Sequence, residues 1–369
     1  MKKVLIFVGI ALVALFLFLI ALTRTQSPIN KAIDELDLCY SKEDVKNVFD
    51  KYKKDLITTN ENLEKEIDEE FLQEIRKKLN SFNLSESEIV ECKQWLPPVA
   101  TSLNLIIVPD LSRRIIDEVN NPDQIKNDTI LLNHIWESFK VYTKQKVNTK
   151  PRLIVDVTDE GQANGQFRLL ADKLVFELPE HETPHLRNVW FETIGNRYTE
   201  NIKYLYGLGK KSPIGGDYWN YFRRNLSKHI QKSTLFDNYR NVLIIITDGY
   251  LESEHKLYTG DWITRNAIAN KIKQGKPTKE TTLNRIRILD IAQTFPTLEV
   301  LVLEVNERKR FSPQEPKDKG TSEDYDILQT LWADWFERLK IKNVNDNFFI
   351  PRNDATQLTK NEIDKFLNK

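Results

Sequence analysis

Two stretches of the chain decide the fold. Residues 103–114 read LNLIIVPDLSRR, and residues 241–249 read NVLIIITDG. Each is an apolar run of strand length that stops on an aspartate, Asp110 in the first and Asp248 in the second. Uninterrupted apolar runs of this length are typical of strands buried on both faces of a parallel sheet. The sequence therefore predicts an α/β fold with a mainly parallel central sheet and helices on both faces.

The two aspartates predict a metal site at one edge of that sheet. In open α/β sheets ligands bind at the carboxyl ends of the strands, which is where Asp110 and Asp248 stand. Two carboxylates at one edge repel each other unless a cation lies between them. With the Ser112 hydroxyl they form a set of hard oxygen ligands, which Mg²⁺, Mn²⁺ or Ca²⁺ prefers.

The same residues resemble the metal-ion-dependent adhesion site of the von Willebrand factor type A (VWA) family. That site has a D-x-S-x-S loop after the first strand, a threonine from a later loop, and an aspartate, often in T-D-G, after the fourth strand. Asp110-Leu111-Ser112 matches the first three positions and Thr247-Asp248-Gly249 matches the last element. The threonine position has two alignments, one with Ser212 and a competing one that brings Asp217. The resemblance covers roughly residues 100–369 and implies a VWA-like domain with these metal ligands.

Arg114 departs from the family's pattern, because it stands where the loop's second serine is expected. A guanidinium near the metal would compete with the cation, or would replace it by pairing with Asp110 or Asp248. Simpler interpretations of the two motifs also exist. An aspartate after a strand often caps the next helix, and T-D-G is a common turn signal.

Two functional hypotheses follow from the resemblance. In the first, the protein is an adhesion or assembly module whose bound Mg²⁺, or Mn²⁺ or Ca²⁺, engages an acidic residue of a protein partner. In the second, the metal site has decayed, and a structural scaffold binds its partners through helices and loops. Nucleic acid is not expected as a partner, since 54 Lys and Arg balance 54 Asp and Glu and give no basic excess.

The run from Val4 to Leu22 predicts a membrane anchor within residues 1–24. A helix of this run, at about 1.5 Å per residue, matches the hydrocarbon core of a bilayer. Lys2 and Lys3 favour a cytoplasmic N-terminus. A cleaved signal peptide is the alternative, although no convincing A-x-A site follows. We therefore expect a single-pass protein of a bacterial inner membrane with its soluble part periplasmic or extracellular.

The two cysteines, Cys39 and Cys92, would then lie in a compartment that permits disulfides. A bridge between them is the expectation for that topology. Two buried free thiols are the alternative.

The chain divides into a membrane-proximal helical segment, residues 25–99, and the VWA-like domain, residues 100–369. In the first segment Ser41 and Asp44 have the spacing of a capping box. The elements expected there are a linker over 25–41 and helices from Ser41, over Asn60–Asn80 and over Ser85–Leu96.

From residue 102 onwards, strands alternate with helices. By the family resemblance the second and third strands form a hairpin that holds the one antiparallel edge of the sheet. The predicted strands are 103–109, 152–157, 168–178, 241–247, 298–305 and 347–350, and the predicted helices are 127–146, 186–206, 217–231, 261–273, 281–294, 324–340 and 356–368.

No motif indicates an enzyme. P-loop, G-x-S-x-G and H-E-x-x-H patterns are missing from the sequence. His181 and His185 are four residues apart, but Pro184 argues against a helix that would place both on one face. The acidic strand end from Asp156 to Glu160 suggests a metal-dependent hydrolase, and a capped turn is its simpler account. The sequence therefore favours a binding module without catalytic residues.

Overall fold

The computed structural model describes residues 27–59, 65–146, 149–158, 166–178, 183–213, 216–251, 279–308, 323–344, 347–353 and 356–368. These residues form two compact units. One holds those up to Val99 together with Thr234–Phe236, and the other holds Ala100–Ser233 and Asp237–Lys369. Within the described ranges no helix has both the length and the apolar character needed to cross a bilayer. The run from Val4 to Leu22 lies outside them.

The first unit is mainly helical. Its helix α2 begins with the capping box that the sequence predicts, because the Ser41 hydroxyl accepts from the Asp44 backbone N–H and the Asp44 carboxylate accepts from the Ser41 backbone N–H. Phe49 and Phe71 are buried in its core with their rings stacked. The elements are α1 (Pro28–Asp37), α2 (Lys42–Tyr52), β1 (Ile57–Thr59), β2 (Lys65–Ile67), α3 (Glu69–Asn80) and α4 (Glu86–Trp95).

Three expectations for this unit are wrong. The linker predicted over 25–41 contains α1, which Ser27 caps by accepting from the Asn30 backbone N–H. The helix predicted from Asn60 begins at Glu69, because residues 65–67 pair with β1 as an antiparallel strand. The bridge between the two cysteines is not formed.

Cys39 and Cys92 are free thiols in this structure, and both are buried. The Cys39 Sγ–H donates to the Glu35 carbonyl oxygen at 3.4 Å. Burial raises the pKa of both thiols. The two cysteines therefore act as small core residues, as the alternative of buried free thiols describes.

The second unit is an α/β domain in which strands and helices alternate. Its elements are β3 (Thr101–Pro109), α5 (Gln124–Gln145), β4 (Arg152–Val155), α6 (Gln166–Ala171), β5 (Val175–Glu177), α7 (Pro184–Lys211), α8 (Tyr218–Arg224), α9 (Leu226–His229), β6 (Asn238–Ile246), α10 (Lys279–Arg285), β7 (Leu298–Val305), α11 (Glu323–Arg338), β8 (Phe349–Pro351) and α12 (Gln357–Leu367).

The central sheet has six strands in the order β5-β4-β3-β6-β7-β8. All neighbours are parallel except β5, which pairs antiparallel with β4 at the edge. Both faces of β3 are covered. Leu105 and Ile107 belong to the core beneath α5 and α7, whereas Ile106 and Val108 belong to the core beneath α8 and α11. This confirms the mainly parallel sheet with helices.

The strand order reverses between β3 and β6. The chain leaves β3 for β4 on one side and later returns to β6 on the other. Pro109 pairs with Ile246, and the Asp110 backbone N–H donates to the Ile246 carbonyl at 2.9 Å. Asp110 and Asp248 therefore leave neighbouring strands at the crevice where ligands of such sheets bind.

Three predicted elements of this unit differ from the structure. The strand predicted over 168–178 is α6 followed by a short β5, because Phe167 and Leu170, three residues apart, are the buried pair. The helix predicted over 217–231 is interrupted between α8 and α9 at Asn225.

The helix predicted over 281–294 ends at Arg285. Beyond it Ile286 and Ile288 are buried, and Arg287 between them pairs with Asp334 at 2.8 Å. Such alternation suits an extended segment rather than a helix. The helix predicted over 261–273 lies outside the described residues.

Candidate functional site

The Asp110 carboxylate has both oxygens hydrogen-bonded. The Ser112 backbone N–H donates to Oδ1 at 2.9 Å, and the Thr247 hydroxyl donates to Oδ2 at 2.8 Å. Asp110 is 1% exposed. Because Thr247 follows β6 and Asp110 follows β3, this second bond joins the two strand ends that the sequence singles out.

Arg114 reaches into the same edge from the short 3₁₀ turn Arg113–Ile115. Its Nε donates to the Asp110 carbonyl at 3.1 Å and lies 3.6 Å from Asp110 Oδ2. Its Nη2 donates to Asp128 Oδ2 at 2.6 Å and to the Ile246 carbonyl at 3.0 Å. Burial opposes the charge on this guanidinium, but Asp128 and Asp110 outweigh it and raise the pKa of Arg114. The arginine therefore stays charged although its side chain is fully buried.

Asp128, on α5, is the main partner of Arg114. Gln124 Nε2 donates to its Oδ1 at 2.7 Å, and the Tyr206 hydroxyl donates to its Oδ2 at 2.9 Å. Burial and then the charge of Asp128 raise the pKa of Tyr206 well above its usual value, so the phenol remains a donor. Three donors thus surround one buried carboxylate.

Glu304 adds a fourth acid to this edge. It lies near the end of β7 with a backbone φ of 68°, in the left-handed region that a residue of its kind rarely adopts. Gln124 Nε2 donates to its Oε2 at 3.3 Å, and Arg352 Nε lies 3.8 Å from the same oxygen. Burial, and after it the neighbouring Asp128 charge, raises the pKa of Glu304 to about 7.

Asp248 has an arginine of its own. Arg308 Nε donates to its Oδ2 at 2.8 Å, and the Tyr250 backbone N–H donates to its Oδ1 at 3.3 Å. Burial raises the pKa of Asp248, and the Arg308 guanidinium opposes that rise. The guanidinium also lies 4.7 Å from the centre of the Tyr250 ring, a cation–π contact.

The structure brings some of the predicted ligands together and separates others. Asp110, Ser112 and Asp248 lie at the carboxyl edge of β3 and β6, and the Ser112 hydroxyl accepts from the Arg114 backbone N–H at 3.4 Å. Ser212 is exposed at the end of α7, where its backbone N–H donates to the Leu208 carbonyl. Across the described part of the chain no group of three or more His, Cys, Asp or Glu is arranged to hold a metal.

Asp217 caps the next helix, α8. Its Oδ1 accepts from the Asn220 backbone N–H at 3.1 Å and its Oδ2 accepts from Asn220 Nδ2 at 2.7 Å. Both carboxylate oxygens are therefore used for local capping. Asp217 acts as a helix cap here, the simpler role that such residues often have.

The donor set of this edge does not suit a divalent cation as it stands. The four carboxylate oxygens of Asp110 and Asp248 all accept hydrogen bonds or lie near a guanidinium. A cation would have to displace the Arg308 side chain from Asp248 and compete with the nearby Arg114 charge. Arg114 lies 3.6 Å from Asp110 Oδ2 and Arg308 lies 2.8 Å from Asp248 Oδ2, so a guanidinium adjoins each of the two carboxylates.

Sequence reasoning missed Asp128 and Arg308. Asp128 lies in the helix predicted over 127–146, whose expected buried residues are apolar. The sequence offers only a weak sign of its role, namely a polar residue near the buried face of that helix. Arg308 lies 60 residues beyond Asp248, and nothing local in the sequence links the two.

The acidic strand end at Asp156 also gains a partner that the sequence did not indicate. His229 Nε2 lies 2.8 Å from Asp156 Oδ2, so α9 supplies a histidine to the end of β4. Asp159 and Glu160 of the proposed acidic cluster lie outside the described residues.

Comparison with known proteins gives little. No protein-family profile matches the chain, and no curated protein matches it. Among solved structures the chain is similar to the pilus adhesin SpaC from Lactobacillus rhamnosus GG, at 12% sequence identity and a TM-score of 0.32. The match covers 73% of this chain, which spans 30% of the adhesin chain. A likeness at that TM-score carries no argument about function.

Proposed function

We propose that this chain is a membrane-tethered protein-binding module with a VWA-like domain in which two arginines replace the divalent cation. It binds partners as an adhesion or assembly scaffold and catalyses no reaction. The observation that carries the proposal is the pairing at the edge of the sheet. Arg114 Nε lies 3.6 Å from Asp110 Oδ2, and Arg308 Nε lies 2.8 Å from Asp248 Oδ2.

The fold supports the VWA-like part of the proposal. The sheet has one antiparallel edge strand, β5, which is the arrangement that the family resemblance implies. Asp110 and Thr247-Asp248-Gly249 follow neighbouring parallel strands at the point where the strand order reverses. The apolar run from Val4 to Leu22 supports the tether.

The electrostatics support the arginine-for-metal part. Two buried carboxylates at one edge need compensating positive charge. Removing one partner of a buried ion pair costs about 3–5 kcal/mol of stability, because the other charge stays buried without compensation. Arg114 and Arg308 already provide two such charges. Partner binding would then depend on loops and helices rather than on an open metal position.

The metal-dependent module is the second candidate. The observation that favours it is the convergence of Asp110, Ser112 and Asp248 at one sheet edge. In that version Mg²⁺, Mn²⁺ or Ca²⁺ binds by displacing Arg308, and a partner's Asp or Glu completes the metal's coordination.

Thermal unfolding with and without metal separates the two. For the full chain we expect the same melting temperature in EDTA and in millimolar Mg²⁺, Mn²⁺ or Ca²⁺. A metal-induced rise that Asp110→Asn abolishes, and that the surface control Asp326→Asn retains, would overturn the arginine version and support the metal version. Arg114→Ser restores the hydroxyl of the family's loop, so any metal response should appear first in that variant.

A pull-down from membranes then tests partner binding. If arginines have replaced the metal, wild-type chain recovers the same partner in EDTA as in Mg²⁺. Loss of the partner in EDTA would assign the interaction to a metal.

A further inference from the structure

The ends of β7 and β8 are bound to the start of α5 and the loop before it through Gln124, Asn306 and Arg352, which we call the β7–α5 contact. Asn306 Nδ2 donates to Asn121 Oδ1 at 3.0 Å. Arg352, just past β8, donates from Nη1 to Gln124 Oε1 at 3.0 Å and from Nη2 to the Pro122 carbonyl. The β7–α5 contact therefore joins three segments that are far apart in the chain.

Glu304 lies inside this contact, and the backbone of β7 is distorted at that point. The register of β7 against β8 shifts between Val302 and Val305, and Glu304 has the left-handed φ of 68°. Its side chain is fully buried, and Gln124 Nε2 donates to its Oε2 at 3.3 Å. Among the residues that the structure describes, Oε1 has no hydrogen-bond partner. Ionisation would place negative charge on a buried oxygen that no donor meets, which favours the neutral carboxyl.

A second acid shares the Gln124 amide with Glu304. Gln124 Nε2 donates to Asp128 Oδ1 at 2.7 Å as well, so one amide group joins two buried carboxyl groups. Arg352 Nε lies 3.8 Å from Glu304 Oε2, but both of its Nη atoms are bound to oxygens of the β7–α5 contact. Burial, and after it the Asp128 charge, raises the pKa of Glu304 to about 7.

The charges around Glu304 point the same way. Arg114 lies 2.6 Å from Asp128 and 3.6 Å from Asp110, so it serves both acids. Among the described residues of this group, three acids meet two cations, Arg114 and Arg352. An ionised Glu304 is then the negative charge in excess. The other titratable or charged side chains at this edge are Asp117, Glu118 and Asp123 of the loop, Tyr206 of α7, and Asp248, Glu307 and Arg308 beyond the strand ends.

We propose that Glu304 is a pH-sensitive switch: in its protonated form it keeps the β7–α5 contact closed, and in its ionised form it opens that contact. The ionised carboxylate repels Asp128 across their shared amide and competes with the loop for the Arg352 guanidinium. Both effects weaken the bonds that hold the end of β7 to the start of α5.

The switch acts on the segment that leads to Arg308. Asn306 belongs to the β7–α5 contact, and Arg308 follows it two residues later, where its Nε donates to Asp248 Oδ2. Opening of the contact therefore loosens the segment that carries Arg308. The switch does not depend on the proposed function, because neither a metal nor a partner takes part in it.

Hydrogen exchange of the full chain at about pH 6 and about pH 8, followed by mass spectrometry, tests this. Two backbone amides report on the contact. The Asn306 N–H donates to the Asp248 carbonyl at 3.2 Å, and the Arg352 N–H donates to the Val305 carbonyl at 2.8 Å. After correction for the intrinsic pH dependence of exchange, their protection should fall about tenfold from the lower to the higher pH. This is the linkage expected between a pKa of about 7 in the closed contact and the ordinary 4.5 of an exposed Glu304.

The opening should also be local. Both reporter amides should exchange faster than the amides of β3, which require unfolding of the whole domain. Glu304→Gln removes the titration, so its corrected protection should be equal at the two pH values. Glu337→Gln, at an exposed position of α11, is the matched control and should keep the wild-type pH dependence.

The wild-type profile is decisive without any variant. Equal corrected exchange at the two pH values would overturn the switch. Reporter amides that exchange no faster than those of β3 would overturn it too, since the contact would then open only when the whole domain unfolds.

Discussion

Asp110 and Asp248 follow neighbouring strands and each faces an arginine, yet the two arginines are held in different ways. The Arg114 side chain is fully buried and bonds Asp128, the Asp110 carbonyl and the Ile246 carbonyl. The Arg308 side chain is 16% exposed; its Nε donates to Asp248 Oδ2 at 2.8 Å, and its guanidinium lies 4.7 Å from the centre of the Tyr250 ring. Salt screens a fully buried charge much less than a partly exposed one.

The comparison separates a fully buried guanidinium, that of Arg114, from a partly exposed one, that of Arg308. The Arg114 end is surrounded by α5, α7 and the strands, so changes there should act on folding. The Arg308 end leads from β7 into residues 309–322, which lie outside the described part. Changes there should act more weakly and should respond to salt.

The largest effect should come from removing Arg114. Arg114→Leu leaves Asp128 and the Asp110 end without their buried cation, so we expect a loss of roughly 3–5 kcal/mol in the free energy of unfolding. Urea unfolding followed by near-ultraviolet circular dichroism measures this on the full chain. The neighbouring Arg113→Gln, at an exposed position, should stay within about 0.5 kcal/mol.

A second variant keeps this prediction informative. Arg114→Leu with Asp128→Leu removes both charges of the pair, and the double variant should be more stable than Arg114→Leu alone. A loss below about 1 kcal/mol for the single variant would mean that Arg114 contributes no more than a surface charge.

Glu304 should give the next largest effect on the free energy of unfolding, and the sign of that effect follows from its raised pKa. Because burial raises the pKa of Glu304 to about 7, the folded chain holds a proton that the unfolded chain releases above its ordinary pKa of 4.5. Stability therefore falls as pH rises through that window. Glu304→Gln removes the titration, so it should match wild type near pH 4.5 and exceed it by at most about 3 kcal/mol above pH 7.

Glu299, on the same strand, is the control with the opposite sign. Burial raises its pKa, but the Arg240 guanidinium, with Nη2 at 2.7 Å, more than offsets this and lowers the pKa overall. The ionised Glu299 therefore stabilises the folded chain above its ordinary pKa, and this stabilisation is lost as pH falls through the lowered pKa. Glu299→Gln should therefore destabilise the chain at neutral pH, and urea midpoints at several pH values compare the two variants. Parallel pH curves for wild type and Glu304→Gln would exclude the raised pKa.

These residues show what the sequence could and could not predict. The two buried strands that end at Asp110 and Asp248 were predictable, because an apolar run of strand length that stops at a turn signal is consistent with a strand buried on both faces. For the case without a metal the sequence predicts that Arg114 pairs with Asp110 or Asp248. Its Nε lies 3.6 Å from Asp110 Oδ2, but its nearest carboxylate, at 2.6 Å, is that of Asp128, which the sequence does not indicate. Arg308 was not predictable, since its pairing with Asp248 exists only after β7 has docked beside β6.

The errors have a similar origin. The stretch from Phe167 to Ala171 has the apolar residues of a strand, and only packing against the core decides that it forms a helix. The His229 pairing with Asp156 joins residues 73 positions apart, which no local pattern encodes. Long-range contacts that determine sites are thus less predictable than buried elements.

The smallest effect on stability should come from replacing Arg308. This variant tests whether Arg308, beside Asp248, is less enclosed than Arg114, beside Asp110. Arg308→Gln removes one charge-assisted bond to Asp248, whose burial raises its pKa, so we expect a loss of about 1–2 kcal/mol at low salt. Arg308→Lys keeps the charge and should lose less. In about 1 M NaCl, where the screening length is about 3 Å, the wild-type advantage over Arg308→Gln should shrink, whereas the advantage over Arg114→Leu should persist. Urea midpoints at both salt concentrations measure this. Equal salt dependence for the two variants would mean that Arg308 is as enclosed as Arg114, and a partner could then not reach Asp248 by moving that side chain.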